Sequence, residues 1–159
     1  MAGPRPILVL PDPRLRQVAE PVVWAFTTDL RRLAAEMLKI MYKARGVGLA
    51  APQIGMPVRV IVLDCVWQRR RGVRQPIVLV NPDVDWSSKE RVIANEGCLS
   101  IPGCVGEVER PAEVGVRWLA LDGARKTGHF WGQWATCVQH EIDHLNGTLF
   151  IDHLKSLPV

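Results

Sequence analysis

The order in which hydrophobic periodicities follow one another constrains this chain most. A helical stripe comes first, β-like runs fill the middle, and a second helical stripe comes last. Over residues 28–45, Leu30, Leu33, Met37, Ile40, Met41 and Ala44 recur at helical spacing. Thr28 is placed to cap that helix, Asp29 suits its first turn, and Gly46 falls where a left-handed stop residue belongs. Pro57 then opens a β-branched run, 58–63, that reads as a buried strand; 77–80 reads as another, ended by Asn81-Pro82. Val114, Val116, Trp118 and Ala120 alternate with other residues, as on a strand with two unlike faces. Asp122-Gly123 is a turn signal, and 126–131 reads as the returning strand of a hairpin. Over 133–145, Ala135, Val138, Ile142 and Leu145 share one helical stripe. Strands in runs, with one helix before and one after, predict an α+β domain rather than a parallel α/β one.

Composition narrows the class further. A chain of 159 residues, 48% hydrophobic and 23% charged, is expected to form one domain over 1–159 and to bury most of its apolar surface. Such a balance excludes a disordered chain. No apolar run approaches the roughly 18–20 residues of a membrane-spanning helix. The apolar stretch 7–10 is flanked by prolines and falls short of the roughly 7–15 residues of a secretory core; Asp12 and Glu20 argue against a transit peptide. The expected location is therefore the cytoplasm. Cys65, Cys98, Cys104 and Cys137, with no CxxC pair, are expected as free thiols there. The net charge of +4 points only weakly to a polyanionic partner. Its densest patch, Arg69-Arg70-Arg71 with Arg74, reads as a solvated loop between strands, and no nucleic-acid motif accompanies it.

The chemistry concentrates on the last helix, in His140-Glu141-Ile142-Asp143-His144. Two histidines four apart lie one turn apart on the same helix face, so both imidazoles reach one metal ion. Glu141 projects about 100° round from His140, close enough to hold a water without being a ligand. That division into two ligands and one general base suits metal-assisted hydrolysis, which needs a third protein ligand and an open position. A pattern continuing downstream would place a histidine where Phe150 stands. His129 and His153 are available, but the better candidate is Cys98, in Glu96-Gly97-Cys98-Leu99-Ser100, because a thiolate binds zinc or ferrous iron strongly. Cys65 and Cys104 read as small buried hydrophobes. Gly46-Val47-Gly48-Leu49-Ala50-Ala51-Pro52-Gln53 fits neither phosphate fingerprint. Its small residues let an extended, peptide-like substrate lie close, and Gln53 offers an amide donor for an oxyanion. Thr136 and Cys137 precede His140 by four and three residues and share its face; Glu96, Asp143 and Arg110 suit a charged network behind the site.

Taken together, segments 46–53, 96–100 and 139–145 resemble the three motifs of the peptide deformylases, in order and without substitution at the functional positions. Similarity in 7–16 and 101–111 extends the resemblance over nearly the whole chain. It implies mostly antiparallel sheets packed around a central helix that carries the HExxH motif. It also implies a metal-dependent hydrolase that removes the formyl group from the N-terminal formylmethionine of new polypeptides, releasing formate. Cys98, His140 and His144 would bind the metal, ferrous iron in this family, with zinc or nickel as substitutes. Glu141 would move the proton, while Gln53 and the Leu99 N–H would hold the oxyanion. Gly48 and Gly97 would pair with the substrate backbone, and Val47 would line an apolar methionine pocket. The partners implied are N-formylmethionyl nascent peptides and, weakly, the ribosome; no membrane and no sequence-specific nucleic acid are expected.

Two departures stand out. The sequence ends at 156–159, where many bacterial relatives continue into a further helix on which ribosome docking can depend. Gly132-Gln133-Trp134-Ala135 stands where relatives usually carry two leucines, and Thr136 is polar for a methionine pocket. Two rival functions are a general metalloprotease, disfavoured by the Cys98 motif, and a basic RNA-binding module with a structural zinc, disfavoured because such sites are closed by four ligands.

Overall fold

The computed structural model describes residues 3–23 and 27–154. Its elements run α1 (Thr28–Lys43), β1 (Gly48–Ala50), β2 (Val60–Leu63), β3 (Ile77–Ser87), β4 (Arg91–Cys98), β5 (Ile101–Pro111), β6 (Glu113–Leu119), β7 (Arg125–Trp131) and α2 (Gly132–Leu145), with short 3-10 turns at Pro13–Arg16, Ala51–Ile54 and Phe150–His153. Five strands form one sheet in the order β1-β2-β3-β6-β7, every pairing antiparallel; β4 and β5 form a separate hairpin.

β2 explains how the sheet is held. Successive side chains of a strand point to opposite faces. Val60 and Val62 join the α1 cluster with Leu30, Met37 and Met41, whereas Ile61 and Leu63 join the α2 cluster with Ala135, Val138 and Ile142. The strand is apolar at every position because a helix covers each face. The expected α+β class, with mostly antiparallel strands, is the observed architecture.

Local details correct the sequence expectations. Thr27, not Thr28, caps α1: its hydroxyl accepts from the Leu30 N–H at 3.3 Å. The left-handed residue after α1 is Arg45 (φ 60°), not Gly46. Bonds from Arg45 N–H to Tyr42 O and Gly46 N–H to Met41 O close the helix end. Gly46 is small for another reason, since a Cβ there would lie 2.8 Å from Leu99 Cδ1. Asn81-Pro82 does not end β3. The register shifts between Val80 and Asp83, Asn81 takes φ 50°, and its side chain pairs with Val22 N–H and C=O. That irregularity lets the strand pass a proline and continue to Ser87.

No local periodicity marks the β4–β5 hairpin. Its apolar residues do not alternate toward a core, and Ile93 and Val105 are 65% and 62% exposed. At its tip, Leu99 and Ser100 turn the chain between Cys98 and Ile101.

Candidate active site

The hairpin tip meets the buried face of α2. Cys98, His140 and His144 place one ligand atom each within 4.8 Å of one another. Cys98 Sγ lies 3.3 Å from His144 Nε2. The expected triple therefore assembles, from residues 42 and 46 positions apart in sequence. The rivals do not join it: His129 pairs with Glu113 and His153 with Asp143, both away from the triple.

The donor set fits a divalent cation. His140 Nδ1–H donates to Glu96 Oε1 at 2.9 Å, which turns the other ring nitrogen toward the triple. Arg110 grips Glu96 through two bonds of 2.7 and 2.9 Å and reaches Asp143 with a third at 2.9 Å. Burial works against the Glu96 charge, but His140 and Arg110 outweigh it and hold the carboxyl down at about 2. Burial pushes His144 down to about 3 and so keeps a neutral imidazole available. His144 Nδ1 has no hydrogen-bond partner among the described residues.

Glu141 is buried beside the triple, and burial raises its carboxyl to about 7 against the pull of His140. A Cβ on Gly48 would sit 2.6 Å from Glu141 Oε2, so the glycine is what admits the carboxylate at the edge of β1. Gly97 has no such internal reason, since a Cβ there would make only ordinary contacts. Gln53 is almost fully buried. Its Oε1 accepts from Ala50 N–H at 2.9 Å, while its Nε2 donates to Ser100 Oγ at 3.0 Å and lies 3.6 Å from Cys98 Sγ. Both halves of the amide are oriented, which aims its N–H group along the site. Ser100, buried in the same motif, is the partner that sequence reasoning passed over.

A cleft of about 930 Å³ opens from these groups. One wall is Val47 and Gly48, at the edge of β1; another is Gly97, Cys98 and Leu99 on the hairpin. Thr136 and Cys137 line it, as their helix face predicts, with Gln133 one turn further back. Gln133 Oε1 is buried with no hydrogen-bond partner among the described residues, whereas Trp134 packs against the α2 core. Cys104 is only half-buried and borders the cleft, unlike the buried Cys65. All four thiols are free.

The sequence matches the family described as Polypeptide deformylase over residues 4–158. It is 50% identical over 153 residues to the peptide deformylase of Rhizobium meliloti (strain 1021), covering 96% of this chain and 86% of that one. Among solved structures, a peptide deformylase from Legionella pneumophila superposes with a TM-score of 0.88 at 44% identity, over 96% and 87% of the two chains. One from Synechococcus elongatus, solved in complex with actinonin, gives 0.89 at 39%, over 98% and 82%. A match this long, with the three site segments inside it, has one reading: the chain belongs to the polypeptide deformylase family.

Proposed function

We propose that the cleft carries out the reaction of its family: metal-dependent hydrolysis of the formyl group from the N-terminal formylmethionine of nascent polypeptides, with release of formate. The observation that carries this reading is the convergence of Cys98, His140 and His144 beside the buried Glu141 carboxylate. Cys98, His140 and His144 would hold the cation; a thiolate with two imidazoles accepts ferrous iron, the metal the family resemblance implies, and binds zinc or nickel as substitutes. When bound, the metal supplies Lewis-acid polarisation of the formyl carbonyl and of a water. Glu141 Oε2 takes the proton from the attacking water and passes it to the leaving amine. Gln53 Nε2 and the Leu99 N–H donate to the developing oxyanion.

The substrate enters as a strand. Among the described residues, β1 pairs only with β2, and β4 only with β5, so each presents an edge to the cleft. An extended peptide laid between Gly48 and Gly97 completes both ladders. Val47 borders the methionine side chain. The absence of any described helix long and apolar enough to cross a membrane accords with work on nascent chains in the cytoplasm, by residues 1–159 acting as one catalytic domain.

Formate release from formyl-Met-Ala-Ser by anaerobically prepared, iron-loaded protein tests the reading, with the unformylated peptide as control. Rapid release is expected, falling about 10²–10⁴-fold in Glu141→Gln while metal content is kept. Folded, metal-replete protein that releases no formate would overturn it.

A further inference from the structure

The cleft does not end at the methionine position. From Gly48, whose lack of a Cβ leaves room for Glu141, the chain leads back through Val47 and Gly46 to Arg45, at most about 10 Å away in an extended segment. The turn after β2 is fastened alongside. Asp64 N–H donates to Val47 O at 2.8 Å, Trp67 Nε1–H to Gly46 O at 2.9 Å, and Gln68 Nε2 to Arg45 O. The next residue is Arg69, and both Arg45 and Arg69 line the mouth of the cleft with exposed side chains. This turn is ordered rather than loose, because the Asp64 carboxylate also accepts from the Val66, Trp67 and Gln75 N–H groups.

Among the described residues, neither arginine has a carboxylate within ion-pair distance. The other charged lining groups are committed elsewhere: Glu96 to Arg110 and His140, Glu113 to His129, and Glu141 to the chemistry. Arg74, from the same loop, stacks on the Tyr42 ring at 4.0 Å and does not face the cleft. The mouth is thus a positive rim with no internal counter-charge.

Resting on the deformylase reading, we propose that Arg45 and Arg69 form a specificity subsite selecting formyl-Met peptides with an acidic side chain at the second or third residue. A substrate strand advancing about 3.3 Å per residue along Gly48, Val47 and Gly46 brings those residues level with the two guanidinium groups. A carboxylate there gains a charge-assisted partner, and a lysine there meets like charge at the same distance. Arg70 and Arg71, exposed on the same turn, add to the field.

The test uses iron-loaded protein and C-terminally amidated formyl-Met-Xaa-Ala and formyl-Met-Ala-Xaa, with Xaa as Asp, Asn or Lys. Each rate is expressed against the Asn peptide of the same variant. In one of the two series, kcat/KM for Asp is expected to exceed that for Lys by about tenfold at low ionic strength, the difference lying in KM. At 1 M salt, where screening reaches roughly 3 Å, the preference should collapse. Arg45→Glu/Arg69→Glu should invert the order, and Arg45→Lys/Arg69→Lys should restore it. Asp, Asn and Lys peptides reacting alike overturns the subsite and leaves deformylation standing. The same result with tight, salt-sensitive binding of oligouridylate lost in Arg69→Glu assigns the rim to RNA and equally overturns the proposal. No formate from any peptide overturns the deformylase reading and the subsite with it.

Discussion

β2 and the β4–β5 hairpin show two ways of holding a strand in place. β2 is short, apolar at every position and covered on both faces, so burial alone fixes where it lies. The hairpin is long and largely exposed, and what anchors its active end is polar. Arg110 on β5 ties Glu96 on β4 to Asp143 on α2, and Glu96 in turn orients His140. Hydrophobic contact resists distortion but carries no direction. Charge-assisted hydrogen bonds have direction, and a metal triple built from two elements needs it. The scaffold is built by the first means and the site is aligned by the second.

Substitutions can pull these two apart. The largest effect is expected from Cys98→Ala at the hairpin tip. It should lose bound metal and at least about 10³-fold of activity, while the melting temperature of the metal-free protein shifts little; metal analysis beside calorimetry reads both. Leu63→Ala in β2 should do the reverse. It costs about 2–5 kcal/mol by denaturant unfolding, and the fraction that remains folded keeps its metal. If Leu63→Ala abolished metal binding in folded protein, scaffold and site would not be separable.

Arg110→Ala lies between these extremes. It leaves Glu96 with His140 alone and Asp143 with His153 alone, a loss of about 1–3 kcal/mol, and should weaken metal affinity about 10–100-fold because the Glu96 that orients His140 is no longer fixed. Unchanged affinity in a chelator competition would show that Glu96 orients His140 unaided.

Smaller still is an acid-limb effect near β2. Burial opposes the Asp64 charge, but the Tyr42 hydroxyl and three backbone N–H groups hold its carboxyl below the usual value of 3.8. A depressed carboxyl contributes its full stability above about pH 3.8 and loses it as the pH falls through the lower folded value. Asp64→Asn should therefore lower stability at pH 6 and flatten its decline toward pH 3 in urea titrations. A parallel decline in both proteins would remove Asp64 from the acid response. Least of all, Ile93→Ser on the exposed hairpin face should change stability by no more than about 0.5 kcal/mol. A loss of several kcal/mol there would mean that the hairpin is held by apolar contact after all.

The same contrast explains how much was legible beforehand. α1, α2, β2 and the β6–β7 hairpin announce themselves because burial on a defined face writes a period into the residues. β4 and β5 write none, since Ile93 and Val105 face solvent and the ladder uses backbone atoms that every residue shares. The extension of β3 was hidden by Asn81-Pro82, a local stop signal that a bulge and the Asn81–Val22 bonds override. Within the site, Cys98 and the histidine pair were visible as motifs. Ser100 as the partner of Gln53 was not, because a hydrogen bond across 47 residues leaves no mark on local pattern.

By itself, then, the sequence determined the two helices, the buried strands, the α+β class and the residue types of the metal triple, because periodicity and ligand chemistry are properties of short segments. Only the tertiary structure decided that a hairpin brings Cys98 to within 3.3 Å of His144. It alone orients His140 through Glu96 and sets Arg45 beside Arg69 at the cleft mouth. Those outcomes depend on contacts between elements remote in sequence, which local periodicity and ligand chemistry do not encode.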